Sequence, residues 1–238
     1  MILNIITDSH ILISFIFSAC WLLIKEVLLK KFSENSKSTL NFKATQVRHS
    51  LSLLHSVLIV SFCVYFLNRN DVLLDLMAPT TVEQQSCLIF SLGYFIYDTL
   101  TWRFTDLTSI IMLFHHIFTV FPLMYVITKR HFGLLTILTL LILESTNPLL
   151  HTWRLLFINP STASSNLHSI IGLLFAIAYT IQRLLHGTKF VQYLHNVNAP
   201  YFVIITANLL YVISFLFFIK IVTFLIKKIW HSKKKKKR

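Results

Sequence analysis

Two adjacent histidines, His115 and His116, stand inside an apolar run from Ser109 to Ile127. Imidazole is costly to keep in hydrocarbon, so a titratable pair at that depth points first to function. On a helix the two rings diverge by about 100°. Thr119, one turn on, lies between their directions, so its hydroxyl could orient either ring. Zinc-binding histidines instead stand at i and i+4, where both rings reach one ion, and no metal site is expected. The bland alternative is that both rings serve as hydrogen-bonding glue between helices.

Two further polar stripes accompany the pair. Ser91, Tyr94, Tyr97, Asp98 and Thr101 fall within about 120° of arc on a helix, a face that should meet protein rather than lipid. A buried Asp98 must be paired or protonated, which suits either a hydrogen bond to a neighbouring helix or chemistry. Glu144, Asn147, His151 and Arg154 share a face if their helix is continuous. Pro148 has no N–H and leaves the carbonyl of Glu144 without its helical donor. Irregular backbone at membrane depth is tolerated where it is buried or lines a cavity, so Glu144–Pro148 reads as a pocket wall. Otherwise it is a plain proline kink with Glu144 satisfied by His151 or Arg154.

Depth links these residues. The histidine pair lies six or seven residues, roughly 10 Å, inside its span. Asp98 and Glu144 occupy the same half of theirs, so the four groups are expected to meet in one cavity open to the cytosol. Buried Asp, His and Glu could also relay protons, as in a proton-coupled transporter, although no inverted repeat is visible. Arg183, with Tyr179, Gln182 and His186, is expected outside that meeting, at the lumenal end of the sixth span. There it either snorkels to the interface or lines the far end of a long cavity.

The elements that must hold these groups are apolar segments of near-bilayer length. Seven are predicted: His10–Ile24, His49–Leu67, Ser86–Thr101, Ser109–Ile127, His131–Leu150, Leu167–His186 and Pro200–Ile226. The last is too long for a perpendicular span and should tilt or continue as an exposed basic helix. The expected fold is an all-α, polytopic membrane bundle of about seven helices around a polar-lined cavity. Residues 1–42 form a first helix and a basic loop, 43–228 the main domain, and 229–238 a polybasic tail.

Composition agrees. The chain is 55% hydrophobic over 238 residues with four glycines and five prolines, which excludes an ordinary soluble domain. Its 22 Lys and Arg against 9 Asp and Glu lie between and after apolar runs, so they report topology and not nucleic-acid binding. Most positive charge is in the first connection and the tail, which predicts both on the cytosolic side and the N-terminus lumenal. Lys129 and Arg130 run against that assignment. No basic n-region precedes the first segment, which is expected to stay as a helix. Trp21, Trp102, Trp153 and Trp230 fall at span ends, as interfacial anchors would. Cys20, Cys63 and Cys87 have no metal or disulfide spacing and read as core residues. The tail Lys233–Lys237 with Arg238 suits anionic headgroups. With Lys235 and Lys236 fourth and third from the end, it also resembles a dilysine retrieval signal, which implies the endoplasmic reticulum.

Taken together, Tyr97-Asp98, His115-His116 with Thr119, Glu144-Ser145-Thr146-Asn147-Pro148, Trp153-Arg154 and Arg183 resemble the TLC homology domain of the TRAM, Lag and CLN proteins. The order is most similar to the small TLC domain-containing proteins and more distantly to ceramide synthases. The first resemblance implies a lipid-binding protein that influences membrane lipid composition. The second implies an acyltransferase with acyl-CoA as co-substrate, in which His115 or His116 takes the proton of a lipid amine or alcohol or accepts the acyl group, beside Asp98. In either case Tyr94, Tyr97, Thr119, Glu144, Asn147, Pro148, His151, Arg154 and Arg183 are expected to line the lipid site. The chain departs from ceramide synthases in having Glu144 and Asn147 where they carry an acidic cluster, and in lacking a homeobox-like insertion. The expected partners are membrane lipids, with a homo-oligomer left open; no resident cofactor is implied.

Overall fold

With so few glycines and prolines, most of the chain can only become helix, because in hydrocarbon each backbone N–H and C=O must find its partner within the segment. The computed structural model describes residues 2–34, 40–68, 75–101, 107–158, 165–197 and 199–236, and Trp102 falls outside them. The helices are α1 (Ile2–Glu34), α2 (Leu40–Leu67), α3 (Val82–Leu100), α4 (Leu107–Lys129), α5 (Gly133–Glu144), α6 (Asn147–Ile158), α7 (Ser165–Tyr179), α8 (Gly187–Asn196) and α9 (Tyr201–Lys236). A π-helical stretch, Thr180–His186, joins α7 to α8.

Six stretches are long and apolar enough to cross a membrane: Ser9–Lys31, Asn41–Leu67, Ser109–Lys129, Gly133–Ile158, Asn166–Asn196 and Tyr201–Lys227. The protein is an integral membrane protein. α3 is absent from that set, since Glu83, Gln84, Gln85 and Asp98 lower its hydropathy. It packs instead among α1, α2, α4 and α5, where it meets protein on most sides. Two predicted spans end too early. The fifth runs past Pro148 to Ile158, because a Ser145-Thr146 turn absorbs the kink and the helix resumes at Asn147. The sixth runs past His186, because Gly187 keeps right-handed helical angles (φ −60, ψ −43) and the chain continues as α8.

Local chemistry sets the frame. Thr81 caps α3 with a reciprocal box: Gln84 N–H donates to Thr81 Oγ1 (3.2 Å) and Thr81 N–H to Gln84 Oε1 (3.1 Å). The preceding segment docks on the α4–α5 turn through Thr80 N–H to the Arg130 carbonyl (2.8 Å). Gln85 Nε2 donates to the Ile127 carbonyl at 3.1 Å. α3 therefore starts where α4 ends, and the two run antiparallel. Arg130 meets His10 of α1 at 3.1 Å on this same side. α1 lies so close on α3 that a Cβ at Gly93 would fall 2.5 Å from Phe17 Cβ and 2.8 Å from the Ser14 carbonyl oxygen. Buried Ser14 and Ser18 supply the small surface opposite, the usual solution where membrane helices touch.

Trp21 is buried and not interfacial. It packs on His55, Phe90, Tyr94 and Tyr97 with ring centroids 5.3–6.3 Å away. Trp153 is likewise engaged, with His168 stacked on it at 5.3 Å and Phe224 edge-on at 5.7 Å. The side chains of Trp230 and of the polybasic tail lie outside the described residues. Cys63 and Cys87 are buried free thiols, while Cys20 is exposed.

Candidate functional site

α4 delivers His115 and His116 to the interior, each 5% exposed, with ring centroids 5.8 Å apart and planes at 76°. The expected divergence gives them different partners. His116 Nε2 lies 3.4 Å from Asp98 Oδ2 on α3, with Phe95 edge-on to the ring at 5.8 Å. A carboxylate in that position fixes the imidazole's orientation and its tautomer. His115 turns the other way, into the field of Arg183. Thr119 orients neither ring: its hydroxyl donates to the His115 carbonyl at 2.8 Å, the acceptor one turn back that an apolar helix always offers.

The polar stripe of α3 faces protein as expected, with Ser91, Tyr94, Tyr97 and Asp98 all buried. Tyr94 donates its hydroxyl to Ser52 Oγ at 2.8 Å, and its ring lies flat against His55 at 3.7 Å and 9°. His55, fully buried on α2, is the residue that sequence reading missed. An imidazole seven residues inside an apolar span carries the same signal as His115. Its Nδ1 lies 3.8 Å from Glu144 Oε2, which also accepts from Asn147 Nδ2 at 3.0 Å. Glu144 is thus held by Asn147 with His55 alongside, and not by His151 or Arg154.

The break before Asn147 explains that outcome, because it divides the face that those four residues would share on a straight helix. Pro148 opens α6 in its first turn, where a missing N–H is tolerated. Beyond it, His151 pairs with His49 of α2, Nδ1 to Nδ1 at 3.2 Å. One ring must donate and the other accept. The guanidinium groups of Arg48 and Arg154 act on both rings, and Arg154 lies 5.3 Å over Trp153. His151 and Arg154 therefore centre on a second imidazole and guanidinium group between α2 and α6, linked to the first electrostatically, since His55 acts on His151 and Arg48 on His116.

Arg183 moves in the opposite sense. With the helix continuing through α8, it lies mid-helix and not at a membrane surface, and it is 6% exposed. Its Nη2 donates to the Leu143 carbonyl, and the guanidinium stands 5.6 Å over the ring of Tyr179. Tyr179 in turn donates to the Ser214 carbonyl at 2.9 Å. The π-helical turn that carries Arg183 is a form found frequently at functional sites.

One contiguous cluster results: Asp98 with His116, Glu144 with His55 and Asn147, and His115 with Arg183. Asp98 acts electrostatically on Glu144, and Glu144 on Arg183. Ser91 Oγ, Asp98 Oδ1, His115 Nδ1, Thr146 Oγ1 and Arg183 Nε are buried there without a hydrogen-bond partner among the described residues. Two pockets of about 50 and 30 Å³ lie beside the cluster, between α4, α5, α8, α9 and the π-helical turn, and Arg183 lines the second.

A family model described as the TLC domain matches residues 47–233, most of the chain. The chain is a TLC-domain protein. The match takes in every residue of the cluster and begins just before the His49–His151 group's first histidine. It leaves out α1, which nevertheless packs on α3 and supplies Trp21 to the aromatic core of this TLC protein. A search of the curated proteins finds no match.

Proposed function

We propose that this TLC-domain protein binds lipid or free acyl chains within its bundle and thereby influences the lipid composition of its membrane. The observation that carries this reading is the contact between a buried ionisable cluster and apolar pockets beside it, joined at Arg183. Charge inside hydrocarbon is kept where a polar group must be recognised, and apolar walls accept a chain. Exposed Phe121, Ile205 and Leu209 flank the pockets, so a chain could reach them from the bilayer. The imidazole and guanidinium side of the bundle, with the tail, is read as cytosolic from its positive charge. Mass spectrometry of protein purified in mild detergent should find an acyl lipid in stoichiometric amount. Cells lacking the protein should show an altered lipid profile. Empty protein together with an unchanged profile removes the reading.

The Asp98–His116 pair favours acyl transfer as a second reading. His116, oriented by Asp98, would take the proton of a lipid amine or alcohol as its N or O attacks the thioester carbon of acyl-CoA. The C–S bond breaks and the thiolate leaves with that proton as CoA-SH. Purified protein given acyl-CoA and long-chain bases or alcohols tests it, with His116→Ala and Asp98→Asn as controls. Product that both substitutions leave unchanged sinks it.

A further inference from the structure

Of the five N–H groups of the Arg183 guanidinium, one is answered by hydrogen bonding among the described residues. Nη2 is taken by the Leu143 carbonyl, but Nε is buried with no partner. Glu144 is in electrostatic range but makes no direct ion pair with Arg183 among the described residues: its Oε2 accepts from Asn147 and lies 3.8 Å from His55 Nδ1. A buried guanidinium lacking an anion in direct contact is expensive, and a ligand carboxylate would relieve it through a charge-assisted hydrogen bond.

From Arg183 a narrow groove follows two helices. The two pockets share Thr139, Phe190, Ala207 and Leu210, so they form one trough. Its α5 wall runs from Phe132 to Leu143 and its α9 wall from Phe202 to Ser214, each at helical spacing. About eleven residue steps on α5 give roughly 17 Å, close to the 15 Å or so that a tail fills in one leaflet of a 30 Å core. Its polar end is the guanidinium and its other end is phenylalanine.

We propose that this groove holds a free fatty acid, its tail between α5 and α9 and its carboxylate on the unanswered N–H groups of the Arg183 guanidinium. This rests on the lipid-binding reading and adds to it the ligand class and the seat. The trough is too narrow for two chains, and a phospholipid headgroup would have to be buried at the middle of a helix. A neutral ester or thioester would leave the guanidinium without its anion.

The experiment uses the full chain in phosphatidylcholine nanodiscs with a tail-diazirine fatty acid, and maps adducts by mass spectrometry. Adducts are expected within residues 132–143 and 202–214. Palmitate should compete at least about tenfold better than its methyl ester, the range of a hydrogen bond to a charged group. Arg183→Gln should weaken palmitate by about 10- to 100-fold and leave the ester unchanged. Arg183→Lys should recover part of the loss. Ala207→Phe, which fills the trough away from the guanidinium, should abolish labelling by both. Equal competition by acid and ester in the wild type overturns the carboxylate assignment, and that comparison stands even if Arg183→Gln does not fold. Adducts confined to other helices overturn the seat. If lipid co-purifies but no fatty acid competes, the groove proposal fails while the broader lipid-binding reading stands. If no acyl chain binds at all, both fail.

Discussion

The two halves of the bundle solve the same packing problem differently. On the α1–α4 side, aromatic rings interlock: Trp21, Phe90, Tyr94, Tyr97 and the imidazole of His55 sit within stacking or edge-on distance of one another. Backbone contact at Gly93 leaves no room for a methyl group. On the α5–α9 side the second core cluster is small, built on Leu135, Leu194 and Ala199, and the trough lies open beside it. Asp98, His116, Glu144 and His55 stand against the tight half and Arg183 on the loose one. The difference separates two tasks. Rigid aromatics fix the orientation of ionisable groups, while a looser wall can admit a chain.

That contrast can be broken by substitution. The largest effect is expected from Trp21→Ala, which removes a ring packed on four others and should lower stability by about 3–5 kcal/mol. Thermal unfolding in detergent measures it, and a loss below about 1 kcal/mol would mean the aromatic half is not the rigid one. Next, Gly93→Ala should cost about 1–3 kcal/mol through forced separation of α1 and α3. A Cβ at Gly187, by contrast, would come no closer than 3.4 Å to any atom, Tyr211 Cδ2 being the nearest, which is ordinary van der Waals contact. Gly187→Ala should therefore be within about 0.5 kcal/mol of neutral or slightly stabilising. Equal losses at the two glycines would erase the asymmetry. Between these lies the His49–His151 contact. A double-mutant cycle with His49→Ala and His151→Ala should return about 1 kcal/mol of coupling, and additive losses would show that the two rings act independently.

Sequence legibility follows the same division. The polar stripe on α3, the convergence of Asp98, His116 and Glu144, and the helical class were readable, because period and hydrophobicity are local properties. Arg183 is placed at a span end by the sequence because the sixth apolar segment closes at His186, whereas Gly187 takes ordinary helical angles and the helix continues. The face of Glu144 through Arg154 was misread because a two-residue turn rotates α6 away from α5. His55 was missed although it carried the signal that flagged His115. The trough depends on how two helices are spaced, and no single segment encodes that.

α3 carries a consequence for how the protein is made. Its sequence is less apolar than the six membrane-length stretches, yet it packs among α1, α2, α4 and α5 in the finished bundle. Its polar residues are therefore expected to rely on neighbouring helices, α1 and α2 among them, to stay within the bilayer. A chain lacking α1 should therefore hold α3 in the bilayer less securely during synthesis. Quality control would then recognise defects in α1, far from any ionisable group, as failures of biogenesis.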